Sequence, residues 1–292
     1  MPAFALDSLL NRHFGGDDTA DWPEGTRMFA TRFGRIRVFD SGGKGPVMLM
    51  VPDGPNVIEH HLPVIEALRA HARVICFDLP GFGHSQPAVA YRHRLQDGAA
   101  VVLAVMDALD VREAALHFSC SNGLYAIAIA KLAPQRIRRL LLCQTPSMQA
   151  MREWIPRNVP KPLQIPVVGQ LLMRGARRRF AKVWYDIALP EPATRPAFLH
   201  TADHALTHGG CFCLASVVQG LSGAQEAELR GVTQPVTMLW GDRDRSHRRT
   251  RAESLLDLLP QTEIIHFPEC GHFPDLEQPQ RYVELALATL NS

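Results

Sequence analysis

Apolar residues along this chain gather into short, mostly unbroken runs. RIRVFD (35–40), PVMLMV (46–51), RVICFD (73–78), AALHF (114–118), RRLLLC (138–143), PVTMLW (235–240) and EIIHF (263–267) all have strand length. A strand that is apolar on both faces is a central one, covered by helices above and below. Between the later runs fall helix-length stretches: HLPVIEALRAH (61–71), DGAAVVLAVMDAL (97–109), LYAIAIAKLA (124–133) and RAESLLDLL (251–259). Strand and helix alternate, which predicts a mainly parallel sheet flanked by helices, an α/β fold.

The alternation stops between about residues 146 and 232. Trp154, Pro156, Pro160, Pro162 and Pro166 punctuate a stretch that has helical pieces and no clear strand. The expected organisation is a core of residues 1–145 and 233–292 with a helical cap at 146–232. Such a cap would cover the carboxyl ends of the strands, where open α/β sheets bind ligands. The chain carries no internal repeat and no low-complexity segment.

Composition narrows the picture only a little. With 292 residues, 46% hydrophobic and 21% charged, the chain has material for one large core. A formal net charge of +2 is far from the basic excess of a general nucleic-acid binder. The start, MPAFALDSLLNRHFGG, lacks a basic leader region, and no run approaches the roughly 18 to 20 apolar residues of a membrane span. The cysteines Cys76, Cys120, Cys143, Cys211, Cys213 and Cys270 form no C-x-x-C pair, so a reducing cytoplasm is the expected home.

Two strand ends carry candidate chemistry. PVTMLW runs into Gly241-Asp242-Arg243-Asp244, and EIIHF runs into Pro268-Glu269-Cys270-Gly271-His272-Phe273. A neutral imidazole can take a proton from a nucleophile when its other nitrogen is held, and a carboxylate both holds it and stabilises the imidazolium. Asp244 and His272 are the candidate pair. Taken singly, Asp244 reads equally well as a helix cap and His272 as a loop residue.

Lys44 to Gly54, FDLPGFGHSQP (77–87), GDRD (241–244) and ECGHFPDLEQP (269–279) together resemble the α/β-hydrolase superfamily, from about residue 27 to the C-terminus and excluding most of the cap. The resemblance implies that fold, with nucleophile, acid and histidine in that chain order. It speaks for the fold more than for a substrate.

The nucleophile region departs from the family's G-x-S-x-G elbow, reading Phe118-Ser119-Cys120-Ser121-Asn122-Gly123. Ungapped counting from Asp107-Ala108-Leu109 and back from Pro134-Gln135-Arg136 puts Cys120 at the serine position, but leaves Phe118 and Asn122 where small residues normally sit. A shifted register makes Ser121 the nucleophile between small Ser119 and Gly123, at the cost of one insertion and one deletion. Spacing selects Cys120 and sterics select Ser121. A histidine neighbour at a helix start would lower a thiol pKa, whereas the ordinary fate of a free cysteine is a small buried hydrophobe.

The family's H-G-x-P turn appears as Pro52-Asp53-Gly54-Pro55. It implies an oxyanion hole from the backbone N–H groups of Gly54 and Ser121. Asp53 would oppose an anion there unless it points away.

The expected activity is covalent acyl transfer on an ester, thioester or lactone, from a small acyl substrate that is free or carrier-bound. Water as acceptor makes a hydrolase, and another acceptor an acyltransferase or cyclase. A lyase or isomerase with His272 as general base and a non-catalytic binding protein are the alternatives. An aspartate-nucleophile dehalogenase or epoxide hydrolase is disfavoured, since no Asp occupies the elbow. No cofactor or metal is expected. His200, His204 and His208 share a helical face without H-E-x-x-H, and Arg174, Arg177, Arg178, Arg179 and Lys182 read as a solvated face. His84 and His117 near strand ends have no assigned partner and read as pocket or packing residues.

Overall fold

The computed structural model describes residues 3–15, 22–209 and 212–291, so that Cys211 lies outside the described residues. Each predicted strand is present: β2 (Gly34–Asp40), β3 (Val47–Val51), β4 (Arg73–Phe77), β6 (Ala114–Ser119), β7 (Ile137–Cys143), β8 (Val236–Gly241) and β9 (Thr262–Phe267). β1 (Thr26–Thr31) and the two-residue β5 (Gln86–Pro87) complete the sheet. β1 escapes the hydrophobic pattern because its residues are only half-buried or exposed.

The sheet runs β1-β2-β4-β3-β6-β7-β8-β9, with β5 on β2. β4 through β9 pair in parallel along this path, whereas β1, β2 and β4 are antiparallel neighbours. Fully buried strands such as β6 need helices on both faces. α2 (Ile58–Leu68), α3 (Leu95–Ala108), α4 (Asn122–Leu132) and α10 (Pro279–Asn291) surround the sheet, and α1 (Ala3–Phe14) precedes it. One expected helix is different. Residues 251–259 contain only a 3₁₀ turn, Ala252–Asp257, because Pro260 follows too soon for an α-helix to repay its nucleation.

The FDLPGFGHS run is held by charge. Asp78, at the end of β4, accepts from the Nε of fully buried Arg37 at 2.7 Å and from the His84 N–H at 3.3 Å. Glu59 takes the rest of that guanidinium at 2.7 and 2.8 Å. Two carboxylates thereby match one buried cation.

Residues 146–232 contain α5 (Met148–Asn158), α6 (Val168–Ala188), α7 (Arg195–His208) and α8 (Leu214–Leu221), with no strand among the described residues. Pro156 lies inside α5, and α6 kinks at Ala176. No described helix is long and apolar enough to cross a membrane.

Candidate active site

Adjacent parallel strands release their loops at one edge of the sheet. The order β3-β6-β7-β8-β9 thus brings together Asp53 after β3, Cys120 after β6, Gln144 after β7, Asp244 after β8 and His272 after β9.

Cys120 is the turn residue between β6 and α4, with φ of +51°, a left-handed conformation costly for any side chain except glycine. Neighbours over-determine it. The Cys120 N–H donates to Cys143 O at 2.8 Å, and its carbonyl accepts from Gly123 N–H and Thr145 Oγ1, each at 3.1 Å. A Cβ on Gly123 would lie 2.1 Å from Thr145 Oγ1, so this close approach requires glycine whichever neighbour is the nucleophile. Phe118 is absorbed into the core, and Asn122 turns its amide to Pro52 O at 3.1 Å, which is how the two large residues beside the turn are accommodated. Ser121 is in ordinary helical conformation at the start of α4.

His272 is fully buried with both ring nitrogens engaged. Nδ1 donates to Asp244 Oδ2 at 2.6 Å, and Nε2 lies 3.2 Å from Asp53 Oδ2. Cys120 Sγ lies within 4.8 Å of a ring nitrogen of His272. Asp244 is itself fixed, by Gln144 Nε2 at 2.9 Å and by the Ser246 N–H at 2.8 Å. The histidine loop is clamped as well. Glu277 accepts from the Gly271 N–H at 2.9 Å and the Phe273 N–H at 3.0 Å. A Cβ on Gly241 would fall 1.8 Å from Gly271 O, so the acid and histidine loops touch through bare backbone.

Electrostatics couple these groups. Burial alone would depress the His272 imidazolium, but Asp244, the Cys120 sulfur and Asp53 together hold its pKa well above the usual range. Burial and the nearby Asp53 push the Cys120 thiol up, against the pull of His272. Asp53 is raised by burial and by the charges of Asp275 and Asp244, partly offset by His272. Burial would raise Asp244 too, yet His272 holds it far below the usual carboxylate range. Asp53 therefore does not point away from the site; it completes a carboxylate–imidazole–carboxylate row.

Cys120, Ser121, Asp53 and Gly54 line a cavity of about 140 Å³ whose other walls are apolar except for Asn158, among them Met151, Trp154, Trp184 and Val218. The sequence profile of the alpha/beta hydrolase family matches residues 48–285. The chain belongs to this family.

This α/β-hydrolase is an enzyme of the hydrolase type. It is 28% identical to a dihydrolipoyllysine-residue acetyltransferase component of an acetoin cleaving system from Pseudomonas putida, over 94% of this chain and 72% of that one. A 2-hydroxymuconate semialdehyde hydrolase from a Pseudomonas strain is 25% identical over 86% of this chain and 88% of its own. The crystal structure of an enol-lactonase from Burkholderia xenovorans superposes with a TM-score of 0.69 at 19% identity, covering 91% of this chain and all of that one (100%), which speaks for the fold.

Several residues of the α/β-hydrolase site have no signature in the sequence. Gln144, directly after RRLLLC, bonds both Asp244 and the Gly241 N–H. His247 packs against His272, with ring centroids 5.4 Å apart. His117, which the sequence left without a partner, bonds Asp275 Oδ2 at 3.0 Å, and His61 approaches the same oxygen at 3.4 Å. His84 meets His204 Nδ1 at 3.3 Å. In the basic run on α6, Arg178, Arg179 and Lys182 are exposed, with local pairs from Arg178 to Asp203 and Lys182 to Asp186, whereas Arg174 and Arg177 are half-buried.

Proposed function

We propose that the enzyme transfers acyl groups through a covalent intermediate on Cys120, acting on an ester, thioester or lactone. His272 takes the thiol proton as sulfur adds to the carbonyl carbon, and Asp244 stabilises the imidazolium. The backbone N–H groups of Ser121 and Gly54 receive the oxyanion. Collapse expels the leaving group with the proton from His272. His272 then deprotonates water, which attacks the thioester, releasing the acid and restoring the thiol. A different acceptor in place of water gives transfer or cyclisation.

The observation that carries this reading is the Cys120 sulfur, presented by a left-handed turn within 4.8 Å of a ring nitrogen of a histidine whose Nδ1 is held at 2.6 Å by Asp244. Asp53 is compatible with an oxyanion only when it carries a proton, which its burial makes easier to hold. In this reading α5 to α8 (146–232) are a cap that shapes an acyl pocket, and residues 1–145 and 233–292 carry the machinery. Hydrolytic and acyl-transferring relatives support both fates of the intermediate.

Intact-mass measurement of metal-free enzyme quenched during turnover of aryl esters and thioesters tests the scheme. An acyl adduct is expected on the wild type and on Ser121→Ala, and none on Cys120→Ala. Turnover falls by about 10³-fold or more in the cysteine variant. An adduct that persists in Cys120→Ala and disappears in Ser121→Ala transfers the role to Ser121, and no adduct in any form ends the covalent reading.

A further inference from the structure

His247 is the anomaly of the site. Its ring is buried between Trp154 and His272, with centroids 5.4 Å from each, and neither Nδ1 nor Nε2 has a hydrogen-bond partner. A neutral imidazole carries one N–H donor and one lone pair. A buried polar group left with neither satisfied calls for a ligand, a water or an ion. One ring nitrogen of His247 lies within 4.8 Å of both Cys120 Sγ and a ring nitrogen of His272. Nδ1 of His272 is committed to Asp244 at 2.6 Å, so the nitrogen that turns to a third party is Nε2, at the expense of its longer 3.2 Å contact with Asp53 Oδ2.

We propose that Cys120, His247 and His272 form a binding site for a single Zn²⁺ ion. One thiolate and two imidazoles are a donor set this borderline-soft cation takes, with Zn–S about 2.3 Å, Zn–N about 2.0–2.1 Å and a fourth tetrahedral position left to an exchangeable ligand. Hard cations such as Mg²⁺ and Ca²⁺ prefer all-oxygen sites and are not favoured by a sulfur. Asp244 on the far nitrogen of His272 is the carboxylate–histidine arrangement that fixes the tautomer and strengthens the ligand, and Gln144 and the Ser246 N–H hold that carboxylate in turn. Asp53, 3.2 Å from Nε2 of His272, adds compensating negative charge. Cys120 lines the apolar cavity, which supplies the entry path. Cys120 and His272 share one proton between them; coordination sends it to solvent whichever atom carried it. The bound ion occupies the sulfur lone pair that acylation needs, so metal loading and acylation exclude each other.

The test is a titration of the metal-free, full-length enzyme with Co²⁺ and with Zn²⁺, read by sulfur-to-cobalt charge-transfer absorption and by calorimetry. Expected are one ion per chain, a charge-transfer band that Cys120→Ser removes, and a loss of Zn²⁺ affinity of about tenfold or more in His247→Ala and His247→Gln. Circular dichroism identifies which His247 variant is folded, and Cys120→Ser, a one-atom change, decides the matter if neither is. Absence of stoichiometric binding by the wild type, or a band and affinity unchanged in the folded variants, overturns the site. No substrate enters this measurement, so its outcome and that of the acyl-adduct experiment are read separately.

Discussion

Asp53 is the residue that most alters the chemistry expected of this site. In the proposed mechanism His272 must be neutral to accept the thiol proton, yet carboxylates face it from both sides. Asp53→Asn removes one of them. A lost negative neighbour makes the imidazolium less stable, so the pKa of His272 falls and its base form is available at lower pH. The Cys120 thiol, also raised in part by Asp53, moves in the same direction. The rising limb of kcat/KM against pH is therefore expected to shift to lower pH by about one unit. A neutral aryl ester that does not itself titrate is the substrate to use. A limb that stays in place means Asp53 carries no charge in the free enzyme over that range.

At the level of elements, the loops after the strands are tied to each other rather than left to the sheet alone. Asp275, in α9 (Pro274–Glu277) beyond His272, accepts from His117 on β6 and faces His61 on α2. The strand that leads into Cys120 is thus joined to the loop that carries His272. Burial alone would raise Asp275, but hydrogen bonds from His117 and His61 hold it far below the usual carboxylate range. A depressed folded-state pKa means stabilisation that is present above the ordinary carboxylate pKa of about 3.9 and lost as pH falls below it. Asp275→Asn is expected to lower unfolding free energy by about 2 kcal/mol near neutral pH, with the deficit narrowing below about pH 4. Urea unfolding at several pH values measures this. A deficit independent of pH would assign the loss to shape rather than to charge.

Across the whole molecule, the sheet edge supplies polar chemistry and α5, α6 and α8 supply an apolar enclosure. A cavity of about 140 Å³ is the size at which an apolar void in a protein takes a benzene-sized group. Asp53 is the one acid on its wall, and it lies at the reacting end. Short uncharged acyl groups are therefore expected to outperform acyl groups ending in a carboxylate. Each added methylene should raise kcat/KM about fourfold until the cavity fills, the equivalent of about 0.8 kcal/mol of burial. Rates for a homologous series of aryl esters, with and without a terminal acid, give the comparison. Equal rates for succinate-type and butyrate-type esters would rule out this account of the pocket.

Much of this architecture was written in one dimension. Unbroken apolar runs such as PVMLMV and RRLLLC required strands covered on both faces, and their alternation with helical stretches required a parallel sheet. Strand ends then placed Asp244 and His272 as candidates, because a loop begins where an apolar run stops. The half-buried β1 and the 3₁₀ turn at Ala252–Asp257 were less legible, since neither has an unambiguous period. What the pattern could not carry is proximity between distant residues. Asp53 against His272, His247 against Cys120, and His117 against Asp275 are separated by more than a hundred residues in the chain and meet only through the strand order and the loops it aligns. The conformation of Cys120 was likewise undecided, because spacing and side-chain size pointed to different residues. Tertiary packing resolves that conflict of size: a buried Phe118, a turned Asn122 and the contact of Gly123 with Thr145 leave the left-handed position to Cys120.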